Sequence, residues 1–327
     1  MRLRALARRG AALLHGASGA AARARRRLDG TRALVLMYHR VLPATEARRD
    51  AVEDGMYVTP ETFGRHLDWL AADFRVLPLY EVVARLAEGR TLPPGACAIT
   101  FDDGWRDNAE HALPALERRG LPATVFVVTE RMGSEGAFWP DEVCRRLGPL
   151  PLPERRALAA RLGADPAGEP GAALLAQLKS LADVERERAL EALRAATPAP
   201  AARGRELLEW DEVDRLARGG VDVESHGATH AILTVLADDA VRAELRTARE
   251  RRRERGHGRH GLFAYPSGAY DDRVVRIARE LGHRAAVTVE RGLASAAGDP
   301  LRIPRVGLHD DISRTRAEFL WKAVPAA

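Results

Sequence analysis

Ala96-Cys-Ala-Ile-Thr-Phe-Asp-Asp-Gly104 opens as a short β-rich run and ends in two adjacent carboxylates and a glycine. A run of this length closed by a turn signal reads as a buried strand. Consecutive residues leaving a strand point in different directions, so Asp102 and Asp103 can take separate tasks. One can bind a metal while the other holds a water. Asp-Asp-Gly is also a common turn sequence, and alone it admits that reading equally.

Outward from this run, similar segments recur: Leu34 to His39, Phe74 to Leu79, Ala123 to Val128, Val221 to Ser225, Leu262 to Tyr265 and Ala285 to Val289. Segments with helical periodicity lie between them: Pro60 to Asp73, Tyr80 to Glu88, Asn108 to Arg119, Asp211 to Arg218, Asp238 to Arg255 and Asp272 to Leu281. Strands alternating with helices predict an α/β fold in which a parallel sheet, closed or nearly closed into a distorted (β/α) barrel, carries helices on its outside. In such a barrel chemistry collects at the carboxyl ends of the strands. From Gly133 to Arg205 the rhythm breaks: Pro- and Ala-rich sequence carries three helical patterns, Pro153 to Leu162, Ala172 to Leu181 and Val184 to Ala195, and no strand. We read residues 133–205 as a helical insertion beside the barrel mouth, serving as a lid or substrate wall or as a plain spacer. Residues 1–30 read as a basic tail and 31–327 as the one folded domain.

Composition narrows the function. With 46% hydrophobic and 30% charged residues the chain is neither disordered nor a bundle of membrane spans. Cys97 and Cys144 form no close metal-binding pair, so thiol chemistry and a disulfide framework are not expected. Eight arginines, from Arg2 to Arg27, precede the first acid, Asp29; without these nine residues the formal charge of +5 becomes −2. Basic residues confined to a tail do not make the groove that nucleic acid requires. The apolar stretch Ala11 to Ala22 is too short to span a bilayer and carries an arginine block where a cleavage site would fall. The tail therefore reads either as a basic helix resting peripherally on anionic lipid or as a solvated arm. A cytoplasmic place, or one at the inner membrane face, is expected ahead of export.

The second chemical signal is Glu224-Ser-His-Gly-Ala-Thr-His230. Histidines four apart lie on one face of a helical turn, where His226 and His230 could reach one ion. Two imidazoles and one carboxylate with open positions make a hydrolytic metal site.

Together these motifs resemble the polysaccharide deacetylase family, also known as the NodB-homology or carbohydrate esterase family 4 enzymes. Its first motif, T-F-D-D-G, is intact at Thr100 to Gly104, and its second, H-[ST]-x-x-H, stands as His226-Gly-Ala-Thr-His230. The resemblance spans roughly residues 31–310 and implies a NodB-like barrel, a divalent metal with zinc preferred, and acetyl hydrolysis on an acetylated polysaccharide. It assigns Asp102 as general base and Asp103, His226 and His230 as metal ligands. The third motif, R-x-P-x-G, is matched by Ala264-Tyr-Pro-Ser-Gly268, which lacks the arginine that orients the base. Ser267 matches the backbone oxyanion donor, and Tyr265, Pro266 and Gly268 the substrate-facing wall. The wording Phe-Ala-Tyr-Pro-x-Gly-x-Tyr-Asp is similar to the poly-N-acetylglucosamine deacetylase branch. There the general acid comes from the front of the chain, in a phrase like Leu36-Met-Tyr-His-Arg-Val41, which points to His39. The usual late motif is poorly matched: Leu308-His-Asp310 follows a segment that reads as a loop, leaving His309 as the second candidate.

The expected substrate is an N-acetylated hexosamine polymer or its lipid-linked precursor, in cell-surface or exopolysaccharide metabolism. Two other classes stay open: a catalytically degraded member that only binds carbohydrate, suggested by the missing arginine, and a hydrolase of another non-peptide C–N bond.

Overall fold

The computed structural model describes residues 26–135, 138–165 and 167–323. The expected lipid-contacting part of the tail, residues 1–25, lies outside them. Seven parallel strands close into a barrel: β1 (Arg32–Tyr38), β2 (Ala96–Phe101), β3 (Ala123–Val127), β4 (Val221–Ser225), β5 (Leu262–Ala264), β6 (Ala285–Arg291) and β7 (Ile303–Gly307). Their order around the ring follows the chain. β1 seals it, pairing with β2 from Leu34–Cys97 to Tyr38–Phe101 and with β7 at Leu36–Val306 and Met37–Gly307.

The twofold pleat sorts side chains into two layers. Leu34, Leu36, Tyr38, Ile99, Phe101 and Val125 pack outward with Phe63, Leu67 and Leu70 of the helix Pro60–Asp73. Ala33, Val35, Ala96, Ala98, Phe126, Val287 and Ile303 form the second cluster, toward the barrel axis. Each fully buried aliphatic side chain contributes roughly 1.5–3 kcal/mol. Continued along the strands, the inward parity reaches Met37 and His39 on β1, Thr100 and Asp102 on β2, and Arg305 on β7. The pleat that fills the barrel therefore aims the chemical residues into its mouth.

Two elements differ from the sequence reading. Phe74 to Leu79 is not a barrel strand; only Arg75–Val76 pairs with the start of β2, and a helix runs from Leu79 to Ala87. Pro78 caps that helix, and Leu79, Val82 and Val83 give it a buried face. The true seventh strand is Ile303–Gly307, which Pro304 and Arg305 disguise as a loop. Proline fits because Pro304 stands at a register irregularity between β7 and β6, a position where a strand tolerates a residue without an N–H.

The insertion between β3 and β4 carries the helices Trp139–Leu147, Leu152–Arg161, Pro170–Ser180 and Asp183–Ala196, with their own core of Val143, Leu147, Leu158, Leu174, Leu178 and Leu193, and the helix Trp210–Arg218 then leads back to β4. They are tied to the barrel mouth by Arg145, whose two terminal nitrogens donate to the Glu206 carboxylate at 2.7 Å each. Both cysteines are free, Cys97 buried and Cys144 half-buried. Among the described residues no helix is long and apolar enough to cross a membrane.

Candidate active site

The strand ends surround a cavity of about 430 Å³. Asp102 and Asp103 leave β2 together and part. Asp102 continues the inward row and meets Arg305, whose Nη1 donates to Oδ1 at 2.8 Å and Nη2 to Oδ2 at 2.6 Å. Arg305 is fully buried and all three of its nitrogens donate: Nη1 also donates to the Thr100 hydroxyl at 3.0 Å and Nε to the Thr288 carbonyl at 2.8 Å. Burial alone would raise the Asp102 pKa, but the guanidinium beside it holds the carboxyl below its ordinary value.

Asp103 adopts a left-handed backbone, φ 75°, which swings its carboxylate the other way. Its Oδ1 lies 3.3 Å from His226 Nε2 and 3.4 Å from His230 Nε2. The three ligand atoms fall within 4.8 Å of one another, a carboxylate and two imidazoles on one centre. The donor chemistry fits a divalent ion. His226 Nδ1 faces the Ala264 carbonyl at 2.8 Å, so that nitrogen carries the proton and Nε2 presents its lone pair toward Asp103. The far oxygen of Asp103 accepts from the Trp105 indole N–H at 2.9 Å. Trp105 is covered in turn by the Arg40 guanidinium, 4.0 Å from the ring centre.

The histidine pair does not ride on a helical turn. Residues 226–230 form an irregular loop in which Gly227 has φ 83° and His230 φ 69°. Glu244, on the helix Asp238–Glu254, clamps that loop by accepting from the Thr229 N–H at 2.7 Å and from its hydroxyl. A Cβ at Gly227 would come within 2.9 Å of Glu244, so the clamp requires glycine there. Among the described residues four non-glycines have positive φ; Asp103, His230 and Ser267 are three of them, and all line the cavity. Backbone strain of this kind persists only where the surroundings over-determine it.

His39 follows β1 with Nε2 3.9 Å from Asp102 Oδ2, next to both carboxylates. His309 lines the same cavity but sits farther out, its Nδ1 3.1 Å from Asp311. Ser267 and Gly268 line the wall. Tyr265 is buried, its hydroxyl donating to the Leu301 carbonyl at 2.9 Å, and buried Pro266 is not part of the lining.

The sequence reading missed Arg305, Trp105, Glu244 and Asp141. Asp141, from the insertion, faces the cavity, and burial pushes it up to about 7 although Arg40 and Arg145 oppose the shift. For Arg305 a signal existed: Ile303-Pro-Arg-Val-Gly307 alternates with Ile303 and Arg305 on one face.

Residues 89–286 match the family model described as polysaccharide deacetylase. YxkH of Bacillus subtilis strain 168, named for the same family, is 20% identical over 262 residues, 80% of this chain and 66% of that protein. The poly-beta-1,6-N-acetyl-D-glucosamine N-deacetylase of Staphylococcus epidermidis is 30% identical over 115 residues, 31% of this chain and 38% of that protein. The chain thus spans less than two thirds of the length of either relative. Among solved structures, the Streptococcus pyogenes deacetylase PplD in complex with acetate has the same fold, with a TM-score of 0.61 at 19% identity over 90% of this chain and 99% of that one.

Proposed function

The chain belongs to the polysaccharide deacetylase family, and from that premise we propose that it is a metal-dependent hydrolase removing acetyl groups, N-acetyl foremost, from a hexosamine polysaccharide or its lipid-linked precursor. The observation that carries the reading is the division of labour between neighbours: Asp102 is held by Arg305 while Asp103 faces two histidines. An ion held by Asp103, His226 and His230, with zinc the preferred candidate, would polarise the acetyl carbonyl and acidify water.

Around it, Asp102 takes a proton from the attacking water. Arg305 keeps it ionised and aimed, so the carboxylate accepts that proton along a fixed direction. The backbone N–H of Ser267 stabilises the oxygen that gains charge as the carbonyl becomes tetrahedral. His39 donates a proton to the departing nitrogen, and acetate and free amine leave. A carbohydrate-binding member without catalysis rested on the absent motif arginine, and Arg305 removes that ground. The 30% identical segment shared with a poly-N-acetylglucosamine deacetylase supports an exopolysaccharide substrate. The basic residues before Asp29 support placement in the cytoplasm or at the inner membrane face.

The test is acetate release from N-acetylglucosamine oligomers by metal-loaded and chelator-treated protein. Release that needs the ion, and is absent with small cyclic amides, is the expected result; equal release with and without chelator would remove the metal from the reading.

A further inference from the structure

The helical insertion closes on one side chain. Trp105 is buried in a small core with Val128, with Phe138 at the entry to the insertion helices, and with Leu207 just past their exit. The Phe138 ring meets it edge-on at 5.5 Å, and Trp105 and Leu207 form an antiparallel bridge that the Leu208 N–H extends by donating to the Gly104 carbonyl at 2.9 Å. The indole N–H is spent on Asp103, the carboxylate that faces His226 and His230.

Arg40 covers the indole ring at 4.0 Å, well within the roughly 6 Å reach of a cation over an aromatic face. Arg40 is itself buried, and its edge is held separately. Nε donates to Asp107 Oδ2 at 2.8 Å, and Nη1 lies 3.7 Å from Glu206 Oε2. Asp107 is fixed in turn by the Val41 N–H, which donates to its other oxygen at 2.8 Å. Glu206 is fixed by both terminal nitrogens of Arg145, on the insertion helix Trp139–Leu147. A guanidinium donates in its own plane and stacks perpendicular to it, so arginine can be gripped by carboxylates and cover a ring at once; the point charge of lysine cannot. A cation over the ring also draws π density toward itself, which leaves the N–H edge more positive and a stronger donor. Contacts therefore run unbroken from the insertion to a metal ligand: Arg145, Glu206, Arg40, Trp105, Asp103.

We propose that Arg40 is a positioning residue of the metal centre, which orients the Trp105 N–H on Asp103 and passes to that ligand the hold of the helical insertion. The insertion is then a brace on the ion site. This rests on the reading of Asp103, His226 and His230 as one ion site and needs nothing of the substrate.

The test is zinc affinity, measured by competition with a chromophoric chelator, in a cycle of wild type, Arg40→Lys, Trp105→Phe and the double variant. Direct partners of a metal ligand are typically worth about 10- to 100-fold in affinity, and Arg40 stands one contact farther out, so Arg40→Lys should weaken zinc binding about three- to tenfold. Without the indole N–H there is nothing for Arg40 to aim, and the same change in the Trp105→Phe background should cost less than about twofold, the non-additivity of residues acting on one path. Glu206→Gln, which loosens Arg40 from the side of the insertion, should show the same dependence on Trp105 and carries the test if Arg40→Lys does not fold. Cobalt(II) in place of zinc gives a second readout, because its visible bands follow the geometry of the ligand set. They should shift between wild type and Arg40→Lys and coincide between Trp105→Phe and the double variant. Equal zinc affinity in wild type and a folded Arg40 variant, or equal losses with and without the N–H, overturns the proposal. So does a packing effect alone, in which the metal-free variant unfolds at lower urea while zinc affinity and the cobalt spectrum match wild type. If His226→Ala binds zinc as tightly as wild type, the ion site itself is wrong and the proposal falls with it.

Discussion

Arg305 grips both oxygens of Asp102 across the barrel, at 2.8 and 2.6 Å, although 203 residues separate the two in the chain. The contact does for Asp102 what the motif arginine before Pro266 would do in its relatives, from a different strand. A guanidinium fork matched to a carboxylate fixes direction as well as charge.

Removing the fork while keeping the charge should therefore hurt the proton transfer. Arg305→Lys is expected to lower kcat by about 10- to 100-fold. Arg305→Met removes the cation that opposes burial, so the Asp102 pKa rises. Because the base works only when ionised, the acid limb of the kcat/KM profile moves to higher pH, and activity is lost earlier as pH falls. The profile is measured by acetate release between pH 4 and about 9, and an acid limb identical to wild type in a folded Arg305→Met protein would sink the assignment.

The metal-ligand set makes a separable claim. Alanine at Asp103, His226 or His230 should strip the protein of bound ion together with activity, whereas Asp102→Asn should keep the ion and lose turnover. Trp105→Phe, which deletes the indole N–H on Asp103, should weaken ion affinity by about tenfold. Elemental analysis after dialysis reads all five, and full occupancy in the three alanine variants would show that another group holds the ion.

The general acid is assigned by proximity. His39 lies 3.9 Å from Asp102, while His309 is turned to Asp311. His39→Ala should slow amide hydrolysis by about 10²- to 10⁴-fold with less effect on an acetyl ester, whose alcohol leaves more readily. His309→Ala should stay within a few-fold of wild type. The reverse ranking would move the acid to the end of the chain.

Gly268 tests the wall that carries Ser267. Its φ is 68°, and a Cβ there would lie 2.3 Å from a methyl of Val289. Gly268→Ala should cost about 1–3 kcal/mol in urea unfolding, from backbone strain and overlap together. The double variant with Val289→Ala should recover the overlap part alone, and an unchanged midpoint in the single variant would contradict the packing described here.

Sequence carried much of this site because its chemistry is concentrated in short motifs. Thr100 to Gly104 and His226 to His230 name the two carboxylates and two histidines directly, and the apolar runs of β1 to β6 stand between recognisable helices. β7 escaped because its inward face carries an arginine: Ile303 and Arg305 share that face, as a period of two requires, but a buried arginine does not look like core until its partner is known. The loop geometry at His226 to His230 escaped for a different reason. The spacing of four suits a helix and a tight loop alike, and only the Glu244 clamp, fourteen residues beyond His230, selects the loop. Phe74 to Leu79 was misread because apolar content outweighed Pro78, which begins a helix.

The ring closes last at its most distant seam. β7 enters between β6 and β1 after some three hundred residues have been laid down, and Arg305 arrives with it. The stretch from β1 to β6 already includes Asp103, His226 and His230, but until β7 is in place Asp102 lacks the guanidinium that aims it. Ordering so distant a contact is slow, because the closure entropy must be met before the contact rewards it. In the proposed mechanism the aimed base is therefore the last part of the site to be assembled, because it arrives only with the strand that seals the barrel.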